Sequence, residues 1–348
     1  MSAETGKEEL LYTMNKQIMT GSLLCLIASM SWGAMFPVSH IALQHINPLY
    51  FSFLRYLSVT LILIVLLWLK EGRTAFRFEG KGKVLLFFGT MGFTIYNMAV
   101  FQGQHAMGAA GTLVASIMEV LMPMISIAMV WVMTRKMPPK YTLISMLIAL
   151  AGALLVITNG KWTFFTLAGQ HLLALLLIFV GVVGWVVYSM GGSHFAGWST
   201  LRYSTLTCLL GTLVSFVVVT FASAFNWITV PDWQHVWSVK YEMSFMILLP
   251  GLAALLSWNA GIRKLSPLNG ILFINFVPIT TLVLMYFQGY TISRYELYGT
   301  VLVIFALILN NMFQRSSLRP SNSSRGARFR LDRRSRSTVT SNPANQKF

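Results

Sequence analysis

A single acid set deep in an apolar run is the first residue of this chain that could do chemistry. Glu119 lies in 109-AAGTLVASIMEVLMPMISIAMVWVM-133, a stretch long enough to cross a bilayer core at helical rise. No other Asp or Glu lies deep inside an apolar span. An ionisable group at that depth is costly, and such groups usually face a cavity or the interior of a bundle. At 100° per residue, Thr112, Ser116, Glu119, Pro123 and Ser126 fall within about 40° either side of one line. Val114, Ile117, Leu121, Ile125 and Ala128 fall opposite. The expected element is one helix with a narrow polar stripe and a broad apolar back. Pro123 bends it, because proline lacks an N–H and frees a carbonyl one turn back. Two readings stand. In one, the stripe lines a solute path and Glu119 binds a proton or an ammonium group. In the other, the stripe packs on neighbouring helices and Glu119 only hydrogen-bonds one of them.

The elements that must position Glu119 follow from composition. Of 348 residues, 55% are hydrophobic and 10% charged, where a soluble domain carries about 25% charged residues. Apolar runs of span length recur throughout. The spans expected are 18–43, 48–69, 83–103, 109–133, 140–158, 168–191, 198–225, 243–263, 267–288 and 295–314. The polar segment 1–17 and a first apolar run without a small-x-small cleavage site predict a retained span rather than a signal peptide. Cys25 and Cys208 both sit inside apolar runs and suit neither a disulfide nor a metal site. No HExxH or carboxylate cluster suggests a metal, and no cofactor is expected.

Charge fixes an orientation. With the N-terminus inside, the outer connections hold only Lys161, Lys240 and Arg294. Every other Lys and Arg lies on the inner side, except Arg55 and Arg202 within spans. That asymmetry predicts cytoplasmic termini, an even number of spans and a cell (inner or plasma) membrane protein. Arg55 and Arg202, near opposite ends of spans 2 and 7, are expected to snorkel to the interface. Half of the net charge of +16 lies in 315–348, a Ser-, Asn- and Arg-rich segment. It reads as a disordered cytoplasmic tail against anionic lipid, the alternative being an RNA- or partner-binding tail that lacks any aromatic platform; no nucleic acid is expected. The outer segment 226–242, with Trp227, Trp233 and Trp237, is expected to lie on the membrane surface.

The two halves echo each other. The first has 31-SWGAMFP-37, Leu-Arg-Tyr at 54–56 and Pro123; the second has 184-GWVVYSM-190, Leu-Arg-Tyr at 201–203 and Pro278. Trp32 and Trp185 are 153 residues apart, Arg55 and Arg202 147, and the prolines 155. Five spans per half is an odd number, so the second copy must insert upside down. The fold expected is an all-α integral membrane protein with ten transmembrane helices as two inverted five-helix repeats, 18–158 and 168–314. Inverted repeats of this kind place a solute near midplane between the halves.

These motifs, in this order and doubled, resemble the drug/metabolite transporter superfamily, the ten-span EamA-type permeases. The carriers are Trp32-Gly33, the two Leu-Arg-Tyr triplets, Pro123, Pro278 and 258-WNAGIRKLSPLNGILFINFVP-278. One departure is clear. Many members carry Gly-Glu after spans 4 and 9, where this chain reads 135-RK-136 and 289-GY-290. Glu296 follows a turn later and is expected to be a polar residue at a helix start.

The resemblance implies a secondary transporter with a central cavity formed by spans 1, 3, 4, 6, 8 and 9. On those spans the sequence supplies Trp32, Asn97, Gln104, Ser116, Glu119, Trp185, Tyr188, Trp258, Asn259 and Asn275 as solute-facing candidates. In span 3, Phe93, Asn97 and Gln104 share a face; in span 1, Ser29, Trp32, Phe36 and His40 do. Gln104 and Asn259 each lie 19 residues before their proline, as paired carboxamides facing a common centre would. The alternative is that these amides are interhelical glue worth about 1 kcal/mol each. The three tryptophans would stack on the solute or its cationic group. The expected activity is export of a small metabolite, amino acid or drug-like solute, proton-coupled through Glu119, with no Walker motif for ATP. A facilitative uptake or exchange permease is the alternative within the fold. A non-transporting scaffold or an intramembrane enzyme is the alternative outside it, and Ser116 and His105 lack the elbow a hydrolase needs.

Overall fold

The computed structural model describes residues 2–135, 137, 139–158, 160, 163–265 and 267–318. All regular structure among them is helical. Eight helices are long and apolar enough to cross a membrane: Lys16–Ala42, Pro48–Glu71, Gly82–Ala106, Ala110–Thr134, His171–Phe195, Thr200–Ala224, Lys240–Leu265 and Asn269–Phe287. The two other expected spans are also helical, at Lys140–Thr158 and Arg294–Leu318. We number the ten helical regions α1 to α10 in chain order. Of the expected basic tail, 319–348 lies outside the described residues, as do Lys136 and Lys161. The compact unit Met1–Leu307 holds the helical bundle; of Ile308–Phe348, the residues to Leu318 are helical. The helix of α1 already begins at Ser2, so the polar segment expected as a tail is helical from there on.

Local chemistry starts the helices where the sequence allows. Asn47 caps α2 by accepting from the Leu49 N–H at 3.0 Å, with Pro48 in the first turn, where a missing N–H costs nothing. Ser199 caps α7 through the Arg202 N–H at 2.9 Å. Gly108 joins α3 to α4 at φ +59°, a conformation that favours glycine. Ser293 and Glu296 form a reciprocal box at the start of α10, with Ser293 N–H donating to Glu296 at 2.7 Å and Glu296 N–H to Ser293 Oγ at 3.2 Å.

The regular ladder fails at four places, and they occur in matching pairs. α3 contains a π-helical segment, Thr90–Ile95, and α8 contains another, Ile247–Ala253. α4 is not the single bent helix expected. It runs Ala109–Met118, turns at Glu119 and Val120, and restarts as Leu121–Thr134. α9 runs Pro267–Ile271, tightens to a 3-10 turn over Leu272–Asn275, and restarts as Phe276–Phe287. Pro123 and Pro278 are each the third residue of the restarted half, where their missing N–H removes no helical bond. The carbonyl four residues before each proline finds another donor, Met122 N–H for Glu119 and Phe276 N–H for Ile274. The prolines therefore reset the helix instead of kinking it.

Packing is paired in the same way. α1 lies on α8 and α9, α6 lies on α3 and α4, and α2 lies on α7. α2 and α7 run antiparallel: Tyr50 meets Ser223 at 2.7 Å, Thr60 meets Thr212 at 3.0 Å, and Glu71 accepts from Ser199 at 2.5 Å. Glycines set the closest approaches. A Cβ on Gly89 would lie 2.3 Å from the Thr207 carbonyl, and one on Gly33 would lie 2.6 Å from the Val277 carbonyl. Thr281 donates to the Gly33 carbonyl at 2.8 Å across that second contact. Outward, Leu61, Leu147, Leu173, Phe216 and Val301 are exposed, as lipid-facing positions are.

Candidate functional site

The contact of α1 with α9 at Gly33 holds Trp32 where α1, α6 and α8 meet. Its ring stands edge-on to Trp185 at 5.0 Å and to Trp258 at 5.1 Å. Its indole N–H donates at 3.1 Å to the carbonyl of Pro250, inside the π segment of α8. Trp258 donates to Ser189 at 3.1 Å. Trp185 continues the cluster to Tyr96 at 5.0 Å and Tyr188 at 5.1 Å, and Tyr188 continues it to Phe93 at 5.1 Å. All of these rings are buried. The tryptophans expected to stack on a solute thus meet edge-on through Trp32, and both halves of the chain supply them.

Glu119 joins this cluster at the turn between the halves of α4. One carboxyl oxygen accepts the Tyr96 hydroxyl. The other has no partner, although the residue is 1% exposed. No cation pairs with it among the described residues. A buried carboxyl with one oxygen held and one bare can take a proton or accept from a solute ammonium, and the two would compete for the same pair of atoms. Two further bare polar atoms lie in the same region, the Trp185 indole N–H and Asn259 Oδ1. Buried unsatisfied groups are rare and mark places where function competes with stability. Tyr96 was missing from the sequence expectations. The signal was present, since Tyr96 lies three residues after Phe93 and so shares its helical face.

The other candidates separate from this centre. Asn97 is consumed internally: Nδ2 donates to the Gly92 and Phe93 carbonyls at 2.9 and 3.3 Å, inside the π segment of α3, and Oδ1 accepts from Arg55. Gln104 Oε1 accepts from Ser39 at 3.1 Å, and its Nε2 donates to the Phe36 carbonyl at 2.9 Å and to Thr112 at 3.4 Å. Asn259 instead donates to Tyr188 and Ser204 at 2.7 and 2.8 Å. Gln104 and Asn259 share no partner. Ser116 donates to the Leu113 carbonyl at 2.8 Å, and Asn275 to the Leu272 carbonyl at 3.1 Å, with its Oδ1 bare. Ile274, in the 3-10 turn of α9, stands where Glu119 stands in α4 and is fully buried.

Arg55 corrects an expectation. It does not snorkel; it is 1% exposed. It lies inside the second turn of α2 and points into the bundle. Asn97 and the Met35 sulfur, at 3.3 Å, take its N–H groups, and its guanidinium lies 4.5 Å over Tyr56 and 5.2 Å over Phe101. Amide, thioether and ring faces stand in for a counter-ion. Arg202 does lie at a helix end. It pairs with Glu79 at 2.8 Å and covers Trp198 at 3.9 Å, and Trp198 donates to the same carboxylate at 2.9 Å. These bonds hold the Glu79 carboxyl below its ordinary range, Arg202 contributing most.

Among the described residues, two cavities lie beside the centre, and Glu119 lines neither. One, of about 540 Å³, is lined by Pro37, His40, Thr112, Leu113, Tyr290 and Glu296 among others. There Glu296 accepts from Tyr290 at 2.6 Å; burial and that bond push the Tyr290 hydroxyl up to about 12. The other, of about 270 Å³, is lined by Ser189, Tyr203, Asn259 and Arg263 among others.

A bundle of membrane-length helices, built in two matching halves around a closed polar and aromatic centre, is the form of a transporter. The chain belongs to the EamA-like transporter family, whose model matches residues 19–158 and again 172–312. It is 54% identical over 299 residues to the uncharacterized transporter YrdR of Bacillus subtilis, covering 86% of this chain and 93% of that one. It is 24% identical over 282 residues to the uncharacterized transporter YyaM of the same organism, covering 79% and 88%. A solved crystal structure shares the fold with a TM-score of 0.67 at 17% identity, over 86% of this chain and 99% of the other.

Proposed function

We propose that this protein is a secondary-active permease of the cell membrane that exports a small metabolite, amino acid or drug-like solute in exchange for protons held at Glu119. The observation that carries the reading is the carboxyl of Glu119. It is buried, held on one oxygen by Tyr96, bare on the other, and set at a break in α4 against an aromatic cluster shared by both halves. A purely structural carboxyl would be expected to have both oxygens bonded.

The fold proposed around it has ten spans in two inverted repeats, 18–158 and 168–314, with 1–17 and 315–348 in the cytoplasm. The antiparallel run of α2 against α7, the paired π segments and the paired restarts of α4 and α9 support it. So does the placing of basic residues. In this orientation the 540 Å³ cavity lies on the outer side and the 270 Å³ cavity on the cytoplasmic side. Glu119 lines neither, as an occluded intermediate of alternating access requires, while Asn259 lines the cytoplasmic one. Among the residues expected to meet solute, Glu119, Trp32, Trp185, Tyr188, Trp258 and Asn259 keep that role here. Asn97 and Gln104 serve as supports.

The test begins with a metabolite and toxin screen of cells lacking or overproducing the protein. Transport of the solute so found is then measured in vesicles for wild type, Glu119→Gln and Glu119→Ala. Both variants should lose pH-dependent transport. If both keep full transport and its pH dependence, Glu119 is structural and the mechanism is wrong.

A further inference from the structure

The smaller cavity has the makings of a binding site in its own right. Asn259 lines its inner wall, and its Nδ2 is spent on Tyr188 and Ser204 while its Oδ1 is unpartnered and itself buried, so a donor reaches it where the wall gives way. Two hydroxyls on the wall already give their protons away, Tyr203 to the Tyr188 carbonyl at 3.1 Å and Ser193 to the Met190 carbonyl at 2.9 Å. Each keeps lone pairs, so the wall offers acceptors. The roof is the 3-10 turn Gly192–Phe195, and Arg263 ties it down by donating to the Phe195 and Trp198 carbonyls. Among the described residues the lining holds no acid and includes Arg263, so a cation would enter without a counter-charge.

We propose that this cavity is a solute subsite that binds an uncharged hydrogen-bond donor, a hydroxyl or primary amide, on Asn259 Oδ1. The inference rests on reading the chain as a permease, since it makes the cavity a waiting position beside the closed centre. Ser189 joins the two: it lines the cavity and accepts from Trp258 of the aromatic cluster. A donor seated on Asn259 would lie one residue from Trp258, on the same turn of α8.

Disulfide tethering on the full-length protein in detergent tests this without knowledge of the natural solute. A thiol is placed on the rim as Ala196→Cys, and separately as Ser193→Cys. Each is equilibrated with the disulfides of 2-mercaptoethanol, 1-propanethiol and cysteamine, and the protein with both rim residues intact gives the background from the buried Cys25 and Cys208. The hydroxyl and its methyl isostere differ by one hydrogen bond, so 2-mercaptoethanol should be favoured over 1-propanethiol by about tenfold at one rim position or both. Adding Asn259→Leu should abolish the preference. Adding Asn259→Asp, which keeps the acceptors and supplies a charge, should turn the preference to cysteamine. An equal yield of all three adducts at both positions overturns the subsite, as does a preference that survives Asn259→Leu. Cysteamine favoured with Asn259 intact overturns the assignment to uncharged donors. The equilibrium is read without transport, so its failure and a failure of the Glu119 mechanism are separable.

Discussion

Replacing Asn97 by Leu should destabilise the protein more than any loss of a solute contact would. The substitution is close in volume but removes every polar atom of the side chain. Arg55 then loses the acceptor of one N–H while its Nε is already bare, and the Gly92 and Phe93 carbonyls lose a donor inside the π segment. A hydrogen bond to a charged group is worth about 1.5–3 kcal/mol, and each buried acceptor left bare costs roughly 1–3 kcal/mol. Some relaxation is expected, so the total should be about 3–5 kcal/mol, the range for stranding a buried charge. In a chain of this size that is roughly a 4–7 °C fall in thermal midpoint. Thermal unfolding in detergent measures it. Asn97→Asp keeps acceptors for Arg55 and should lose less than half as much. The double variant Arg55→Leu, Asn97→Leu removes the stranded charge and should be more stable than Asn97→Leu alone. If Asn97→Leu leaves the midpoint unchanged, or the two substitutions add, Asn97 is not the support described here.

Gly89→Ala should cost about 1–3 kcal/mol, because its Cβ would meet the Thr207 carbonyl at 2.3 Å, while Gly197→Ala, with nothing within 4 Å, should be neutral in the same unfolding assay. Glu79→Gln should lower stability at neutral pH. The folded-state carboxyl is held below its ordinary value, so its contribution is complete above that value, about 4, and is lost as pH falls through the depressed one. The gap between wild type and Glu79→Gln should therefore close on acidification; a gap constant with pH would assign the effect to something other than the ionised pair with Arg202.

Much of the architecture was legible because bilayer length and helical rise are blunt constraints. Each expected span finds a helix within a few residues, and the doubled prolines reappear at doubled restarts. The interior was less legible, for identifiable reasons. Helical-wheel phase assumes an unbroken ladder, and α4 resets its phase at Glu119–Val120, so the faces drawn on its two halves do not run on as one stripe; before the reset, Val114 and Ile117 are buried with Thr112 and Ser116 because neighbouring helices pack on both sides of that half. Asn97 looked like a ligand because nothing in sequence reveals the π segment whose carbonyls it satisfies. Arg55 looked like an interfacial anchor because hydropathy counts its charge and not the rings of Tyr56 and Phe101 beneath it. The tryptophans were expected to face a solute; that they fill one another's space depends on how closely α1 packs, and Gly33 permits that by touching α9.

The measurement that bears most directly on the account compares two kinds of movement through one variant. Proteoliposomes carrying wild type or Glu119→Gln are tested for accumulation of the screened solute under an imposed pH gradient, and for counterflow exchange without one. Wild type should do both, and Glu119→Gln should retain counterflow while losing gradient-driven accumulation. Gradient-driven accumulation at the wild-type rate by Glu119→Gln would contradict the assignment of the proton to this carboxyl.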